Sequence, residues 1–126
     1  MIGAALSVAT PPSAPAGTDA DRVRAVLDVM NTSYNRSDFD AFASHLCADM
    51  LRSQDFEVGW HQSRTSDGPT RIAVNTVDVT GDPPTLAVAN VRFEAANHQD
   101  AKTLDVDFLR DGAEWKACRY HAGYST

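Results

Sequence analysis

The sequence predicts an α+β domain in which an N-terminal helical pair packs in the concave face of a curved, four-stranded antiparallel sheet. Two observations support this fold class. Between Thr18 and Leu51 the apolar residues recur with the spacing of an α-helix, whereas after Thr70 they alternate with a period of two. Short turn signals then divide the alternating part into four segments, which is typical of an antiparallel meander.

The first helix is expected to begin after Thr18. Its hydroxyl can accept a backbone hydrogen bond at the start of a helix, and Asp19 and Asp21 place negative charge at the positive end of the helix dipole. The apolar residues that follow fall on one helical stripe. That stripe comprises Val23, Val26, Leu27, Met30 and Tyr34.

Two further helices are expected before the sheet. Ser37 followed by Asp40 is an acidic variant of the capping box and predicts one continuous helix from Asp38. Its buried face comprises Phe39, Phe42, Leu46 and Met50. Ser53 can cap a short third helix that carries Phe56 and Trp60. The polar residues 63–69 are predicted to form a loop.

Four strands follow, and two changes of parity in their alternation predict two β-bulges. The changes fall at Asn75 in the first strand and near Asn90 in the second, and bulges of this kind curve a sheet. Gly81 begins a proline-containing turn, and Gly112 marks a hairpin before a fourth strand at Trp115–Tyr120. The inward residues expected in the first three strands are Ile72, Val74, Val77 and Val79, then Leu86, Val88, Val91 and Phe93, then Leu104, Val106 and Phe108.

Length and charge limit the organisation and the partners of the chain. Its 126 residues suit one domain, expected over residues 18–126. The net charge of -6 and the scattered Lys and Arg residues argue against a nucleic-acid partner, because phosphate binding needs a clustered basic surface. No stretch of the sequence is long and apolar enough to predict a membrane span.

Residues 1–17 differ in composition from the rest of the chain. An apolar run of small residues is followed by a stretch rich in Pro, Ala, Ser and Thr, and such a composition buries too little surface to order itself. We therefore expect a disordered tail. The same composition suits the remnant of a secretion signal, although the basic n-region of such a signal is missing, since no Lys or Arg precedes Arg22.

Three motifs occur in a characteristic order: Tyr34–Phe42 at the helix junction, Gly81 and Asp82 before a strand with Ala87, and Asp111–Lys116 near the end. Together they resemble the nuclear transport factor 2-like superfamily, in particular its small secreted actinobacterial members. The resemblance implies a cystatin-like cone with a pocket between sheet and helices, and commonly a homodimer formed through the outer face of the sheet. It implies no single activity, since the superfamily includes isomerases, hydratases, cyclases, epoxide hydrolases and members without any chemistry.

The two cysteines can pair in the fold that this resemblance implies. Cys47 belongs to the second predicted helix and Cys118 to the last strand, and secreted relatives resemble this pattern. A disulfide would indicate an oxidising compartment, so a secreted or cell-envelope protein is expected. Two alternatives stay open: two buried thiols, or a zinc site that both cysteines form with His45 and His121.

Candidate site residues are those that such a pocket would bring together. The expected pocket lining is Tyr34, Phe56, Trp60 and Phe108. Polar groups considered for catalysis are Tyr34, Asp49, Asp55, His61, Asp107, Arg119 and His121, of which Asp55, His61, Asp107 and His121 are retained. The tyrosine of the steroid-isomerase branch would fall at Met30, and the base of that branch would fall near Asp55. His98 is expected on the surface of a turn.

The sequence therefore predicts a non-enzymatic, secreted binding or accessory domain for a small apolar ligand. No cofactor and no metal is expected, because the sequence contains no glycine-rich phosphate loop and no metalloprotease or hydrolase motif. The first alternative is a small-molecule isomerase or a SnoaL-like cyclase or hydratase, which would need a deep pocket with two convergent polar groups. The second is a dimer-assembly domain, which would need a large apolar sheet face.

Overall fold

The computed structural model describes residues 18–122, and within them four helices precede a four-stranded antiparallel sheet. The helices are α1 (Asp19–Asn35), α2 (Phe39–Ala43), α3 (Ala48–Leu51) and α4 (Phe56–Asp67), and the strands are β1 (Thr70–Thr80), β2 (Leu86–Ala95), β3 (Lys102–Asp111) and β4 (Glu114–Ala122). This order confirms the predicted α+β class. The tail predicted for residues 1–17 lies outside the described residues.

Helix α1 begins where the sequence predicts. The hydroxyl of Thr18 accepts a hydrogen bond from the amide of Asp21, and the carboxylate of Asp21 accepts one from the amide of Thr18. This reciprocal capping box satisfies amides that the first turn of a helix leaves without partners. In the predicted stripe Val23, Leu27, Met30 and Tyr34 are buried and Val26 is half-buried, and all of them except Tyr34 belong to the core shared with the sheet.

Helix α2 starts at a different cap from the predicted one. The carboxylate of Asp38 accepts a hydrogen bond from the amide of Ala41 and forms the N-cap. Ser37 lies one residue earlier, in the left-handed region with a φ of 57°. Because Asp38 occupies the N-cap position, the prediction that Ser37 caps this helix is wrong.

The predicted continuous helix over Phe39–Met50 is also wrong, because the chain leaves the helix after α2 and pairs with the edge of β4. The amide of Cys47 donates to the carbonyl of Ala117 at 2.9 Å, and the amide of Ala117 donates to the carbonyl of His45 at 2.8 Å. These bonds satisfy backbone groups that a helix would have paired internally. They also cover part of a sheet edge that would otherwise be open.

Helix α4 occupies most of the region predicted as a polar loop. It contains 12 residues and ends at Asp67, where Gly68 has a φ of 70° that favours glycine. A polar segment can continue a helix when its side chains find partners on neighbouring elements. Arg64, for example, donates to the carbonyl of Asn35 at 3.0 Å and joins α4 to the end of α1. The loop predicted over residues 63–69 is therefore wrong.

The sheet has the strand order β1-β2-β3-β4, and its described part contains two bulges. The first leaves Asn75 outside the pairing register of β1 and β2, as predicted. The second leaves Cys118 of β4 outside the register with β3. The bulge predicted near Asn90 is wrong, since β2 pairs with β3 in unbroken register.

The first half of β2 faces the opposite way from the prediction. Ala87 and Ala89 are 1% and 0% exposed, whereas Leu86 and Val88 are 47% and 38% exposed on the outer face. Because β2 has no bulge, one parity holds from Ala87 through Val91. The small alanine side chains leave room for the helical layer, so the larger residues face away from it.

The core lies between α1 and the sheet, and its fully buried large side chains are Val23, Val91, Phe108 and Trp115. At the N-terminal end of α1, one carboxylate oxygen of Asp19 accepts hydrogen bonds from the indole Nε1 of Trp115 and from Arg110, each at 3.1 Å. The guanidinium of Arg110 also lies over the ring of Trp115, 5.9 Å from its centroid. We call this end, around Asp19 and Trp115, the closed end.

A disulfide joins Cys47 to Cys118, which confirms the expected pairing. It spans 71 residues of sequence and fastens the segment between α2 and α3 to β4. Both sulfur atoms are used in this bond, so free thiols and a zinc site with His45 and His121 are excluded. Among residues 18–122 no group of side chains is suited to hold a metal ion. No helix in this range is long and apolar enough to cross a membrane.

Candidate ligand-binding cavity

A cavity of about 590 Å³ lies at the other end of the strands, which we call the cavity end. It is bounded by the last turn of α1, by the three following helices, and by the adjoining ends of β2, β3 and β4. Its wall is largely apolar and includes Phe42, Met50, Phe56, Trp60, Phe93 and Leu104. A volume of this size is typical of sites for small organic molecules.

Trp60 is the centre of the helical wall. Its ring centroid lies 5.2 Å from that of Tyr34, 5.3 Å from that of Phe42 and 5.2 Å from that of Phe39, in tilted or edge-on arrangements. Aromatic pairs with these geometries are favourable beyond their buried area. The rings come from α1, α2 and α4, so the cluster fixes these helices relative to one another. The indole Nε1 of Trp60 is buried and has no hydrogen-bond partner within the described residues.

Three polar side chains meet on one side of the cavity. The hydroxyl of Tyr34 donates to Oδ2 of Asp67 at 2.8 Å, and Nε2 of His98 lies 3.0 Å from Oδ1 of the same carboxylate. All three residues line the cavity. Tyr34 lies in the last turn of α1, Asp67 ends α4 and His98 follows β2, so one carboxylate joins three separate parts of the chain. We refer to them as the Tyr34–Asp67–His98 cluster.

The hydroxyl of Tyr34 keeps its proton far above neutral pH. Burial raises the pKa of Tyr34 to about 12, and the hydrogen bond to Asp67 reinforces the shift, because ionisation would place two negative charges side by side. Tyr34 is therefore a neutral donor whose proton is committed to Asp67. It is not suited to act as a base.

Comparison with solved structures identifies the architecture. The chain is similar to the crystal structure of an NTF-2-like protein of unknown function from Shewanella oneidensis MR-1, with a TM-score of 0.66 and 12% sequence identity over 81% of this chain and 96% of that one. The chain has the nuclear transport factor 2-like fold. This confirms the cone implied by the sequence motifs, whereas an identity this low conveys no activity.

Two further solved structures are similar to this chain. Bd1075 from Bdellovibrio bacteriovorus matches with a TM-score of 0.61 and 11% identity over 83% of this chain, which spans 40% of the length of that protein. An LEH-like epoxide hydrolase from M. tuberculosis matches with a TM-score of 0.46 and 9% identity, over 82% of this chain and 86% of that one. No protein-family model and no curated protein matches the sequence.

In this nuclear transport factor 2-like fold, the four residues expected to line the pocket lie in two places. Tyr34, Phe56 and Trp60 line the cavity. Phe108 is instead 0% exposed within the core. It lies on the inner face of β3, but toward the closed end of the strand, where its ring packs against the helical layer. Its side chain therefore fills the core rather than the cavity.

The structure does not bring the candidate catalytic residues together in the cavity. Asp55 lines the cavity at its exposed rim. His61 is exposed on α4, beside the ring of Phe39. Asp107 and His121 lie 3.6 Å apart on the outer face of the sheet, because Asp107 alternates with the buried residues of β3. Asp49 is exposed on α3 and pairs with an arginine one turn away.

The sequence alone does not identify Asp67 and His98 as site residues. Asp67 falls in the predicted loop, and His98 is expected on a turn surface. A correct end for α4 would have placed Asp67 on the helical face of Phe56 and Trp60, at i+11 and i+7 from them. No sequence signal places His98 next to Asp67, because the contact joins residues 31 positions apart across a strand hairpin.

Proposed function

We propose that this chain is a small-molecule-binding domain that holds an apolar ligand in the cavity. The cavity itself supports this function best. It encloses about 590 Å³, its walls are largely apolar, and its hydrogen-bonded polar groups are gathered on one side. Sites for small molecules combine apolar walls with a few polar groups that orient the ligand. The free energy of binding would come mainly from burial of apolar ligand surface, at about 25 cal/mol per Å².

The polar groups of the cavity suit binding without catalysis. The proton of Tyr34 is committed to Asp67, and its raised pKa keeps the hydroxyl neutral at physiological pH. Asp55 is exposed at the rim, where water competes for its carboxylate. Acid–base chemistry would require a group whose proton can leave or arrive within the cavity. These features support a binding or accessory domain.

An apolar fluorescent probe, N-phenylnaphthylamine, tests the binding function. Gly59 lies on the cavity face of α4, and a Cβ added there would meet no atom within 4 Å. Gly59→Phe should therefore fill part of the cavity and weaken probe binding by about tenfold or more. Gly59→Ala adds one methyl group at the same place and should leave binding almost unchanged. The proposal fails when the parent protein does not bind the probe, or when both variants bind it equally well.

We also propose that the domain works in an oxidising compartment, outside the cell or in its envelope. The Cys47–Cys118 disulfide supports this location, since structural disulfides persist in such compartments and are rare in the cytosol. Alkylation of thiols during extraction from the native cells, followed by mass measurement of the intact chain, tests it. The expected product carries no alkyl group, and alkylation of both cysteines would contradict the location.

A second candidate function is acid–base catalysis on an apolar substrate. One observation favours it: Asp67 holds the ring of His98 at the cavity wall, and a carboxylate in this position orients a histidine base. Such a pair could remove a proton from a carbon atom next to a carbonyl group. Deuterium exchange from heavy water into apolar ketones, followed by NMR, should then depend on His98 and be lost in His98→Gln. Exchange no faster than in buffer would argue against this function.

We further propose a homodimer formed through the outer face of the sheet. Leu86, Val88 and Leu109 are exposed on this face, and Leu86 pairs with Leu109 in register. A second copy would remove this apolar surface from water. Leu109→Lys should shift the sedimentation of the protein from dimer to monomer, whereas Leu51→Lys alters a comparably exposed leucine on α3 and should not. A parent protein that sediments as a monomer at every concentration would refute the dimer.

A further inference from the structure

The hydrogen bonds of Asp67 determine where the protons of its neighbours lie. An ionised carboxylate only accepts hydrogen bonds. Oδ2 accepts from the hydroxyl of Tyr34 at 2.8 Å, and Oδ1 lies 3.0 Å from Nε2 of His98, which must then carry the proton. In the neutral imidazole the other ring nitrogen, Nδ1, has a free lone pair. Nδ1 of His98 is therefore left as an acceptor position for a ligand, and the hydroxyl oxygen of Tyr34 is a second one, which the hydroxyl of Ser63 also faces.

The other polar side chains of the cavity wall also offer more hydrogen-bond acceptors than donors to a ligand. Asp55 and Asp100 line the cavity and, as carboxylates, also only accept. Ser63 both donates and accepts. Arg119 is held through its Nε at 3.1 Å by a carboxylate on the outer face of the sheet. The indole Nε1 of Trp60 also has no partner among the described residues, but the atom is fully buried and has no surface open to the cavity. The donors that remain in the described lining, on Lys102 and on the terminal nitrogens of Arg119, are exposed at the rim. The polar side of the cavity is thus rich in acceptors.

We propose that the cavity selects apolar ligands whose polar end donates a hydrogen bond, such as an alcohol, and that Asp67 sets this preference by fixing the protons of Tyr34 and His98. This inference rests on the proposed binding function. Asp67 is a positioning residue, because the ligand would contact Tyr34 or His98 while the carboxylate acts through them. A ligand whose polar end only accepts would place its lone pairs against those of Tyr34 and His98, so no hydrogen bond would form there. The buried hydroxyl of Tyr34 would then lose access to water without gaining a donor.

A matched pair of ligands tests the preference. The alcohol para-phenylbenzyl alcohol and its methyl ether share one apolar body, but the ether cannot donate a hydrogen bond. Their affinities are measured by displacement of N-phenylnaphthylamine in one buffer of mildly alkaline pH. The alcohol is expected to bind about tenfold more tightly, which corresponds to about 1.4 kcal/mol. para-Phenylbenzoate, the acid analogue, reports on recognition by Lys102 and should bind less tightly than the alcohol.

Asp67→Asn should remove or reverse the preference. The side-chain amide donates from Nδ2, so the neighbour that faces this nitrogen must accept from it and turns its own proton toward the ligand. The ether is then expected to bind at least as tightly as the alcohol. Asp28→Asn is the matched control, since it removes the same charge from an exposed position on α1 outside the cavity. Its preference for the alcohol should stay at about tenfold.

The outcomes separate this inference from the binding function. A parent protein that does not bind the probe overturns both. Probe binding with equal affinities for alcohol and ether overturns the selectivity alone, and so does tighter binding of the acid analogue. Should Asp67→Asn fail to fold, His98→Leu replaces a side chain that is 46% exposed and should lower the preference about threefold. A preference unchanged in the folded variants would refute the role of Asp67.

Discussion

The two tryptophans lie at opposite ends of the domain and differ in hydrogen bonding rather than in burial. At the closed end Trp115 is 2% exposed, and its indole Nε1 donates to Asp19 at 3.1 Å. At the cavity end Trp60 is almost as buried, at 6%, but its Nε1 has no partner within residues 18–122. Buried donors are normally paired, so the indole of Trp60 is an exception and that of Trp115 follows the rule.

This difference separates the part that stabilises the fold from the part that can bind. The closed end holds Phe108 and Trp115, two of the fully buried side chains of the core, whereas aromatic rings at the cavity end surround open space. Atoms removed from the closed end leave a new void, which costs free energy in proportion to its volume. Atoms removed from the cavity end only enlarge a space that already exists. Stability should therefore be more sensitive at the first end, and ligand binding at the second.

The largest effect is expected from two phenylalanines, one at each end. Phe108→Ala should lower the free energy of unfolding by about 3–5 kcal/mol, because its ring is fully buried and its removal leaves a cavity. Phe56→Ala should cost about half as much or less, since Phe56 lines the existing cavity. Urea denaturation measures both values. Equal losses would show that the two ends contribute alike.

Removal of the disulfide tests whether a covalent tie stabilises the cavity end. Replacing both Cys47 and Cys118 by alanine should lower the free energy of unfolding by about 2–4 kcal/mol, because the bond closes a long loop in the unfolded chain. It should also weaken probe binding, since Leu46 and Ala117 beside it line the cavity. Thermal denaturation of the oxidised, reduced and substituted proteins gives the comparison. A melting temperature indifferent to reduction would contradict this prediction.

Asp19→Ala should leave the buried indole of Trp115 without a hydrogen-bond partner, as the indole of Trp60 is at the cavity end. The indole of Trp115 would lose its acceptor, and Arg110 would lose its ion-pair partner. A buried donor without a partner costs about 1–3 kcal/mol, and the free energy of unfolding should fall by that amount. Affinity for N-phenylnaphthylamine should stay unchanged, because the cavity lies at the other end of the strands. An equal loss of affinity would indicate that the two ends are coupled.

Alkaline pH should weaken the Tyr34–Asp67–His98 cluster. The pKa of Tyr34 is raised from 10.0 to about 12 in the folded protein, so between these values the unfolded chain loses the proton and the folded chain keeps it. The contribution of Tyr34 to the free energy of unfolding is therefore fully present below about pH 10. It falls as the pH rises toward about 12, by up to about 1.4 kcal/mol per pH unit. Urea denaturation at several alkaline pH values should show this slope, and Tyr34→Phe should remove it.

The smallest effect is a gain in stability at the cavity end. Gly59 lies inside α4, where alanine is favoured over glycine by about 0.5–1 kcal/mol and no neighbour obstructs its methyl group. Gly59→Ala should therefore raise the free energy of unfolding by about that amount. The melting temperature measures this gain. A loss of stability would mean that the added methyl group meets the wall of the cavity.

The parts of the fold set by local chemistry were predictable from the sequence. Thr18 and Asp21 form a cap within one turn of helix, and the stripe of α1 needs only its own spacing. The turn signals at Gly81 and Gly112 likewise separate the strands correctly. The disulfide depended on knowing which fold the motifs imply, because its two residues lie 71 positions apart.

The remaining features depend on contacts between distant residues. Hydrophobicity favours Leu86 and Val88 as inward residues of β2. Ala87 and Ala89 face inward instead, because the helical layer leaves room only for small side chains there. The break after α2 results from hydrogen bonds to β4, which the local sequence does not show. For the same reason the Tyr34–Asp67–His98 cluster was only partly predictable: Tyr34 was a candidate, whereas its two partners come from other elements.

Cys118 lies at a bulge, outside the pairing register of β4. A residue in such a position can be exchanged without moving its neighbours to the other side of the sheet. The disulfide therefore does not fix the pairing register of β4. During evolution the bond could be gained or lost while the register stays the same. Related domains that have another residue at this position should keep the same alternation of inward and outward residues along their last strand. Their fold should be the same with or without the disulfide.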